Sequence, residues 1–264
     1  MQDFRARRND MVRTQIAARG IRDSRVLGAL AAVPRERFVA EQLAEFAYED
    51  APLPIEEGQT ISQPYIVALM AAALELREGE RALEIGTGSG YAAAVLARLA
   101  SEVYTVERHE ALAEIARRRL AEIGYTTVHL RHGDGTLGWP EHAPYDAIVV
   151  AAGGPDVPTT LREQLTIGGR LVMPVGATAR LQTLVRVRRT GEDTYEQERL
   201  GECRFVPLVG EEGWSEAEAP PVLRAPRSET RPETIAHLLA EVCDPITDRR
   251  VDHASRAAPH ADRP

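Results

Sequence analysis

The stretch Arg81-Ala-Leu-Glu-Ile-Gly-Thr-Gly-Ser-Gly90 decides the fold. Ala82, Leu83 and Ile85 read as a buried strand, the glycines at 86, 88 and 90 as a tight turn, and Tyr91 to Ala100 as the helix that the turn launches. Glycine at these positions lets the backbone swing through a sharp turn and lets a ligand lie directly on it, where a Cβ would collide. Strand, turn and helix form a nucleotide cradle. The spacing is GxGxG, whereas a dinucleotide site carries GxGxxG opposite the pyrophosphate, and this argues against a nicotinamide dehydrogenase.

Working downstream, the strand Glu102-Val-Tyr-Thr-Val106 ends at Glu107, about 20 residues beyond Gly86, where a carboxylate can accept from both hydroxyls of a ribose. The bland alternative for Glu107 is a solvated acid at a strand end. His109 to Ile123 is an amphipathic helix, with Leu112, Ile115, Ala116, Leu120 and Ile123 on one face and Gly124 as its stop. The third strand, Thr127 to Arg131, delivers Gly133-Asp-Gly135, so Asp134 is either an acceptor for the exocyclic amine of adenine or a plain turn residue. Tyr145 to Ala152 is an unbroken apolar run of the kind found in a central parallel strand. A short helix over Pro158 to Leu165 and a fifth strand over Gly169 to Val175 follow, then alternating strands Gln182 to Arg188 and Tyr195 to Phe205 joined by the turn Thr190 to Asp193. Five β-then-α units ending in an antiparallel pair predict an α/β fold, a doubly wound, mostly parallel seven-stranded sheet. Its ligand belongs at the carboxyl ends of the strands, where Gly86, Glu107 and Asp134 fall.

Upstream, helices are expected over Asp10 to Ala18, from the cap pair Asp23-Ser24 to Pro34, and over Val39 to Phe46. They precede the first cradle strand and so form a cover on the sheet. The Pro-punctuated loop from Asp50 to Tyr65 leads into a helix from about Pro64 to Leu76, with Ser62 as the expected N-cap. Two roles stay open for Ser62. It satisfies a free amide, or it stands where the positive end of the helix dipole meets a carboxylate.

The chain of 264 residues carries 32 Lys and Arg against 40 Asp and Glu, a net charge of −8. That balance points to a small or peptidic ligand and away from nucleic acid. Cys203 and Cys243 are too few for a disulfide framework or a zinc site, and the seven histidines form no HxxxH pair, so no metal is expected. The first ten residues lack the apolar core of a signal peptide, and no run approaches the ~18 apolar residues of a spanning helix, which predicts a cytoplasmic protein without a membrane partner. The expected division is a main domain over 1–214, with 1–60 as helical cover and substrate segment and 61–214 as the sheet, followed by an extension over 215–264. That extension is rich in Pro, Ala and Arg and reads as largely flexible. Within it Thr230-Arg-Pro-Glu233 is a capping box ahead of Ile235, Leu238, Leu239 and Val242, so a helix over 232–243 is expected to dock on the domain, a partner or a further domain.

The motifs Gly58-Gln-Thr-Ile-Ser-Gln-Pro-Tyr65, Ala82-Leu-Glu-Ile-Gly-Thr-Gly-Ser-Gly-Tyr91, Val106-Glu107, Gly133-Asp-Gly135, Tyr145-Asp-Ala-Ile-Val-Val150 and Arg204-Phe-Val-Pro-Leu208 resemble those of the protein-L-isoaspartate O-methyltransferases, a class I, Rossmann-like family dependent on S-adenosyl-L-methionine (AdoMet). The resemblance runs from about residue 10 to Trp214. It implies methyl transfer to the free α-carboxylate of isoaspartyl residues in damaged proteins and peptides, leaving S-adenosyl-L-homocysteine and a methyl ester that proceeds to succinimide. It makes Ser62 the active-site residue and assigns the cofactor to Glu84, Gly86, Thr87, Gly88, Ser89, Gly90, Glu107, Arg108, Asp134 and Gly135. It assigns the substrate to Ile61, Gln63, Pro64, Tyr65, Val206, Pro207 and Leu208. Val209 stands where some relatives carry Thr, which removes one polar contact. Two other readings remain at this level: a methyltransferase of the same fold aimed at an aspartate of a dedicated peptide, and a non-catalytic AdoMet-binding scaffold.

Overall fold

The structure is a computed structural model and describes residues 3–178 and 181–219. The helix expected over 232–243 and most of the extension lie outside those residues.

The amino-terminal cover starts earlier than the apolar pattern suggests. Asp3 accepts from the Ala6 amide at 3.0 Å and caps α1 (Phe4–Met11), which runs on through a π-helical turn (Val12–Ile16) and a 3₁₀ turn (Ala17–Arg19) to Gly20. Asp23 caps α2 (Ser24–Ala32) as expected, through the amides of Arg25 and Val26. The helix expected over Val39 to Phe46 is instead one 3₁₀ segment, Glu41–Phe46, preceded by a separate 3₁₀ turn over Arg35–Phe38. Inside the loop read as extended, β1 (Leu53–Pro54) and β2 (Thr60–Ile61) pair antiparallel, with Leu53 opposite Ile61.

Helix α3 (Pro64–Ala73) begins one residue later than a Ser62 cap requires: its N-cap is Gln63, with no side-chain cap bond. The reason is Pro64. Proline at the first helical position has no N–H, and the first helical carbonyl is that of Gln63, which accepts from Val67 at 3.1 Å. Ser62 is therefore released from helix capping.

The sheet then forms from β3 (Arg81–Ile85), β4 (Glu102–Glu107), β5 (Val128–His132), β6 (Tyr145–Val150), β7 (Leu165–Val175), β8 (Gln182–Arg189) and β9 (Tyr195–Cys203). Their order is β5-β4-β3-β6-β7-β8-β9, parallel up to β7 and antiparallel for the last two pairings. This is the doubly wound, mostly parallel seven-stranded sheet expected of a class I methyltransferase fold. Helices α4 (Tyr91–Leu96), α5 (Glu110–Ile123) and α6 (Thr159–Glu163) serve three crossovers. The fourth, from β5 to β6, has no α-helix. Gly138 at φ +60°, Pro140 and Pro144 break it into two 3₁₀ turns, and Trp139 and His142 pack edge-on and stacked against Tyr104 where a helix would lie. The count of five β-then-α units is thus four crossovers and a hairpin.

Both faces of the sheet are covered. Ala82, Val103, Ala147, Val149 and Val172 point into the core shared with α2, α3 and α4, while Leu83, Ile85, Val106, Ile148, Val150 and Leu171 point into the core closed by α6. Strands β3 and β6 are neighbours whose chains leave toward opposite edges. That makes their carboxyl ends the topological switch point where such folds open a crevice. No helix among the described residues is long and apolar enough to cross a membrane.

Candidate active site

The crevice is a cavity of about 360 Å³, within the range of small-molecule pockets. One part of its wall is the glycine turn. Gly86, Gly88 and Gly90 hold φ of +89°, +52° and +90°, left-handed values at which any side chain is strained. The ladder continues into the turn, with the Gly86 amide donating to Val106 O at 2.9 Å, and Gly90 closes it by donating to Thr87 O at 2.9 Å.

Beside the turn, the Glu107 carboxylate is almost fully buried, at 4% exposure. Oε2 accepts from the Gly88 amide at 2.8 Å and Oε1 from the His109 amide at 2.9 Å. Each oxygen keeps a second acceptor position, so the group is oriented by the loop and still able to take two hydroxyls. Glu84 lies beneath the turn and outside the cavity wall. It is wholly buried, and its Oε2 accepts from Thr105 Oγ1 at 2.6 Å, which leaves Thr105 to accept from Thr87 Oγ1 at 2.6 Å. Burial pushes the Glu84 carboxyl up to about 8, the Thr105 hydrogen bond opposes that, and the nearby Glu107 charge adds to it.

The other part of the wall is Gln59, Thr60, Ile61 and Ser62 together with Val206, Pro207, Leu208 and Val209. The second segment is held in place by backbone: Leu208 donates to Gly153 O and Gly153 to Val206 O, both at 2.8 Å, and Trp214 Nε1 reaches Gly153 O at 3.1 Å. The Ser62 hydroxyl makes no hydrogen bond to another described residue. Its carbonyl accepts from Arg35 Nη2 at 2.9 Å.

Of the residues expected at the site, the structure brings together around this cavity Ile61, Ser62, Gly86, Thr87, Gly88, Ser89, Glu107, Arg108, Gly135, Val206, Pro207 and Leu208. Glu84, Gly90, Asp134, Gln63, Pro64 and Tyr65 are not part of the wall. Gln63 Nε2 donates to Asp50 O at 2.8 Å, Pro64 is buried, and the Tyr65 ring lies 3.5 Å below the Arg19 guanidinium carbon, so these three carry the Ser62 segment from behind. Asp134 is turned onto the loop after Leu208. Its Oδ1 accepts from the Thr136 amide and hydroxyl, both at 2.8 Å, and Oδ2 from the Glu211 amide at 2.8 Å. A Cβ at Gly210 would stand 2.1 Å from Oδ1, so this closeness requires glycine there.

Sequence reasoning passed over Tyr91, His109, Leu112, Ala151 and Ala152, which also line the cavity. The hydrophobic runs beside the motifs were the available signal. It also passed over Glu216 and Ala219, in the segment set aside as tail, which close the cavity near Arg108 through an Arg108 Nη2 to Glu216 Oε1 ion pair at 3.0 Å. Nothing in the local pattern announces that contact.

The arrangement suits a donor with a nucleoside end and an acceptor with an extended backbone. The glycine turn, the Glu107 carboxylate with its free acceptor positions and the cavity of about 360 Å³ are the features that a nucleoside-bearing donor such as AdoMet requires. Among the described residues no group of three or more His, Cys, Asp and Glu converges to hold a metal.

Comparison with known proteins matches this geometry. The family model for protein-L-isoaspartate(D-aspartate) O-methyltransferase covers residues 6–213. The chain is 64% identical over 208 residues to protein-L-isoaspartate O-methyltransferase 2 of Pelobacter propionicus, covering 79% of this chain and 92% of that one. It is 59% identical over 227 residues to protein-L-isoaspartate O-methyltransferase 1 of Rhodopseudomonas palustris, covering 86% and 92%. A solved protein-L-isoaspartate O-methyltransferase superposes with a TM-score of 0.71 at 32% identity, over 78% of this chain and 67% of the other. A β-aspartate methyltransferase from Plasmodium falciparum, solved with S-adenosyl-L-homocysteine, shares the fold with a TM-score of 0.66 at 24% identity, over 76% and 98%. With the glycine turn, the Glu107 carboxylate and the Ser62 and Val206–Leu208 segments around one cavity, the chain belongs to the protein-L-isoaspartate O-methyltransferase family.

Proposed function

We propose that Ser62 orients the α-carboxylate of an isoaspartyl residue toward a methyl donor seated on the 86–90 turn. The chain is a protein-repair methyltransferase of its family, dependent on AdoMet. The assignment of roles to its residues rests on one observation: the nucleoside-binding turn and the Ser62 segment face a common cavity.

AdoMet supplies an electrophilic methyl on a sulfonium. The carboxylate oxygen forms the new C–O bond as the C–S bond breaks, and the electron pair leaves with sulfur as a neutral thioether. A carboxylate with a reference pKa near ~4 is ionised at neutral pH, so no side chain has to remove a proton. The protein's part is alignment. Holding nucleophile, carbon and leaving group in line contributes up to roughly 7–11 kcal/mol in favourable intramolecular cases. Glu107 would hold the ribose, the side-chain-free turn at 86–90 would let the nucleoside lie against its backbone, and Ile61 with Val206–Leu208 would give apolar surface to an extended peptide. The methyl ester carries methoxide as a leaving group, which the carboxylate lacks. The neighbouring backbone nitrogen therefore attacks the ester carbonyl, the C–OMe bond breaks, methanol leaves with the nitrogen's proton, and the succinimide closes without the enzyme.

The substrates are isoaspartyl proteins and peptides, met in a reducing cytoplasm where the buried Cys203 stays a free thiol. Residues 1–214 carry the activity, and Glu216 and Ala219 extend its wall. The remainder of the extension is a candidate for partner docking. The test is transfer of a labelled methyl from AdoMet to an isoaspartyl peptide with release of the label as methanol in mild base. Label that resists base is attached to something other than a carboxylate and contradicts the proposal.

A further inference from the structure

Arg35 escapes any reading of motifs, yet it is the bulkiest of the fully buried side chains, with no exposed surface. A guanidinium taken out of water is costly unless its donors are met in good geometry. Nε donates to Ala47 O at 2.8 Å and Nη2 to Ser62 O at 2.9 Å, while Nη1 is buried without a hydrogen-bond partner among the described residues, so the fork is held on two of its three nitrogens. Its carbon lies 4.7 Å from the centroid of the Tyr91 ring, the first residue of α4 and part of the cavity wall. One buried cation thus joins the amino-terminal cover, the Ser62 segment and the helix launched by the glycine turn.

Filling space does not require arginine. An apolar side chain of similar volume serves a core at equal or better stability. What arginine adds is a rigid planar fork whose donors keep a fixed angle, so two carbonyls from different segments are set relative to each other. The neighbours of Ser62 are fixed by the Leu53–Ile61 pairing and the Gln63–Asp50 bond. Ser62 itself caps no helix and its hydroxyl binds no described residue, so the Arg35 bond is the one that holds its carbonyl among the described residues. Desolvation lowers the Arg35 pKa, while the Tyr91 and Tyr48 phenols and Asp50 act in the other direction.

We propose that Arg35 is a positioning residue of the methyl transfer, holding the Ser62 backbone through its carbonyl so that the hydroxyl enters the cavity in the orientation the carboxylate needs. The proposal rests on the reading of Ser62 given above. The test is a double-mutant cycle on the full-length chain with Arg35→Lys and Ser62→Ala, measuring kcat and KM on an isoaspartyl peptide, AdoMet affinity by calorimetry, and the unfolding midpoint. Lysine keeps the charge and loses the fork. Arg35→Lys is expected to lower kcat about 10- to 100-fold, the scale of a misplacement of about 1 Å, with KM and AdoMet Kd within about twofold. In the Ser62→Ala background the same change is expected to cost less than about twofold in kcat, because the group it positions is gone.

If Ser62→Ala lowers kcat and the Arg35→Lys loss adds fully to it, the proposal fails and the serine reading stands. If Ser62→Ala leaves kcat unchanged, both fail. A parallel fall of AdoMet affinity and unfolding midpoint with kcat assigns Arg35 a merely structural role and overturns the proposal. Should Arg35→Lys not fold, Arg35→Gln goes through the same cycle, and failure of both to fold counts against positioning.

Discussion

The Gly88 amide donates to Glu107 Oε2 across 2.8 Å. The turn proposed to receive the nucleoside and the carboxylate proposed to receive its ribose are thereby one unit, since moving either displaces the other. Glu107→Ala is therefore expected to weaken AdoMet by about 1.5–3 kcal/mol, the worth of charged hydrogen bonds, or roughly 10- to 150-fold in Kd. Glu107→Gln, which keeps one acceptor, is expected to fall between. Calorimetry showing no loss for Glu107→Ala removes the ribose assignment.

Ser62 behaves differently in this account, because its hydroxyl meets the acceptor and not the donor. Ser62→Ala is expected to lower kcat on an isoaspartyl peptide by about 10- to 100-fold, the range for a lost alignment, and to leave AdoMet affinity within about twofold. Steady-state kinetics with paired calorimetry separates the two effects. An unchanged kcat takes Ser62 out of the chemistry.

Glu84 gives the protein a pH dependence with a definite sign. Its folded-state carboxyl is raised to about 8 from an ordinary 4.5, so the native state binds the proton more tightly than the unfolded chain does. The stability it contributes is fully present below the unfolded value and is lost as pH rises through the folded one. Unfolding midpoints of the wild type are expected to fall between pH 5 and pH 9 by more than those of Glu84→Gln, whose amide does not titrate. Parallel curves for the two proteins contradict this origin.

Asp134 separates two roles that position alone cannot. Through Thr136 and Glu211 it ties the turn after β5 to the loop that follows the Val206–Leu208 segment. Asp134→Ala is expected to raise peptide KM about 5- to 20-fold by freeing that loop, each lost charged hydrogen bond being worth about 1.5–3 kcal/mol before relaxation. A loss confined to AdoMet affinity, with peptide KM unchanged, instead favours an adenine contact.

Truncation distinguishes wall from tail. Deleting residues 220–264 is expected to leave activity on generic isoaspartyl peptides intact. Deleting 215–264 also removes Glu216 and Ala219 from the cavity wall and is expected to raise AdoMet Kd by about two- to fivefold, a small effect because the Arg108–Glu216 pair is largely exposed. Activity lost with the shorter deletion points instead to a dedicated peptide partner recognised by the tail.

What the sequence disclosed was what is local. The glycine turn and Glu107 are legible because strand, turn and helix are contiguous and the carboxylate belongs to the very next strand. Ser62 was found through its motif with a capping role and a carboxylate role both left open; the helix starts at Pro64 with Gln63 as its N-cap, which excludes the capping role. Asp134 stayed open between an adenine acceptor and a turn residue, and its bond to the Glu211 amide could not be read because that partner lies 77 residues further along the chain. Arg35 left no trace for a similar reason: both acceptors are backbone carbonyls, 12 and 27 residues away, and any residue type supplies those. No helix was named between Arg131 and Tyr145, yet the count of five β-then-α units passed over the gap, although Gly138, Pro140 and Pro144 already spelled out the interruption.

The most direct measurement is methyl-ester formation on two peptides of identical composition, one joined through the α-carboxyl of a single aspartate and the other through its β-carboxyl. The account predicts base-labile methylation of the β-linked peptide and none above background on its α-linked twin. Equal labelling of both, or of neither, contradicts it.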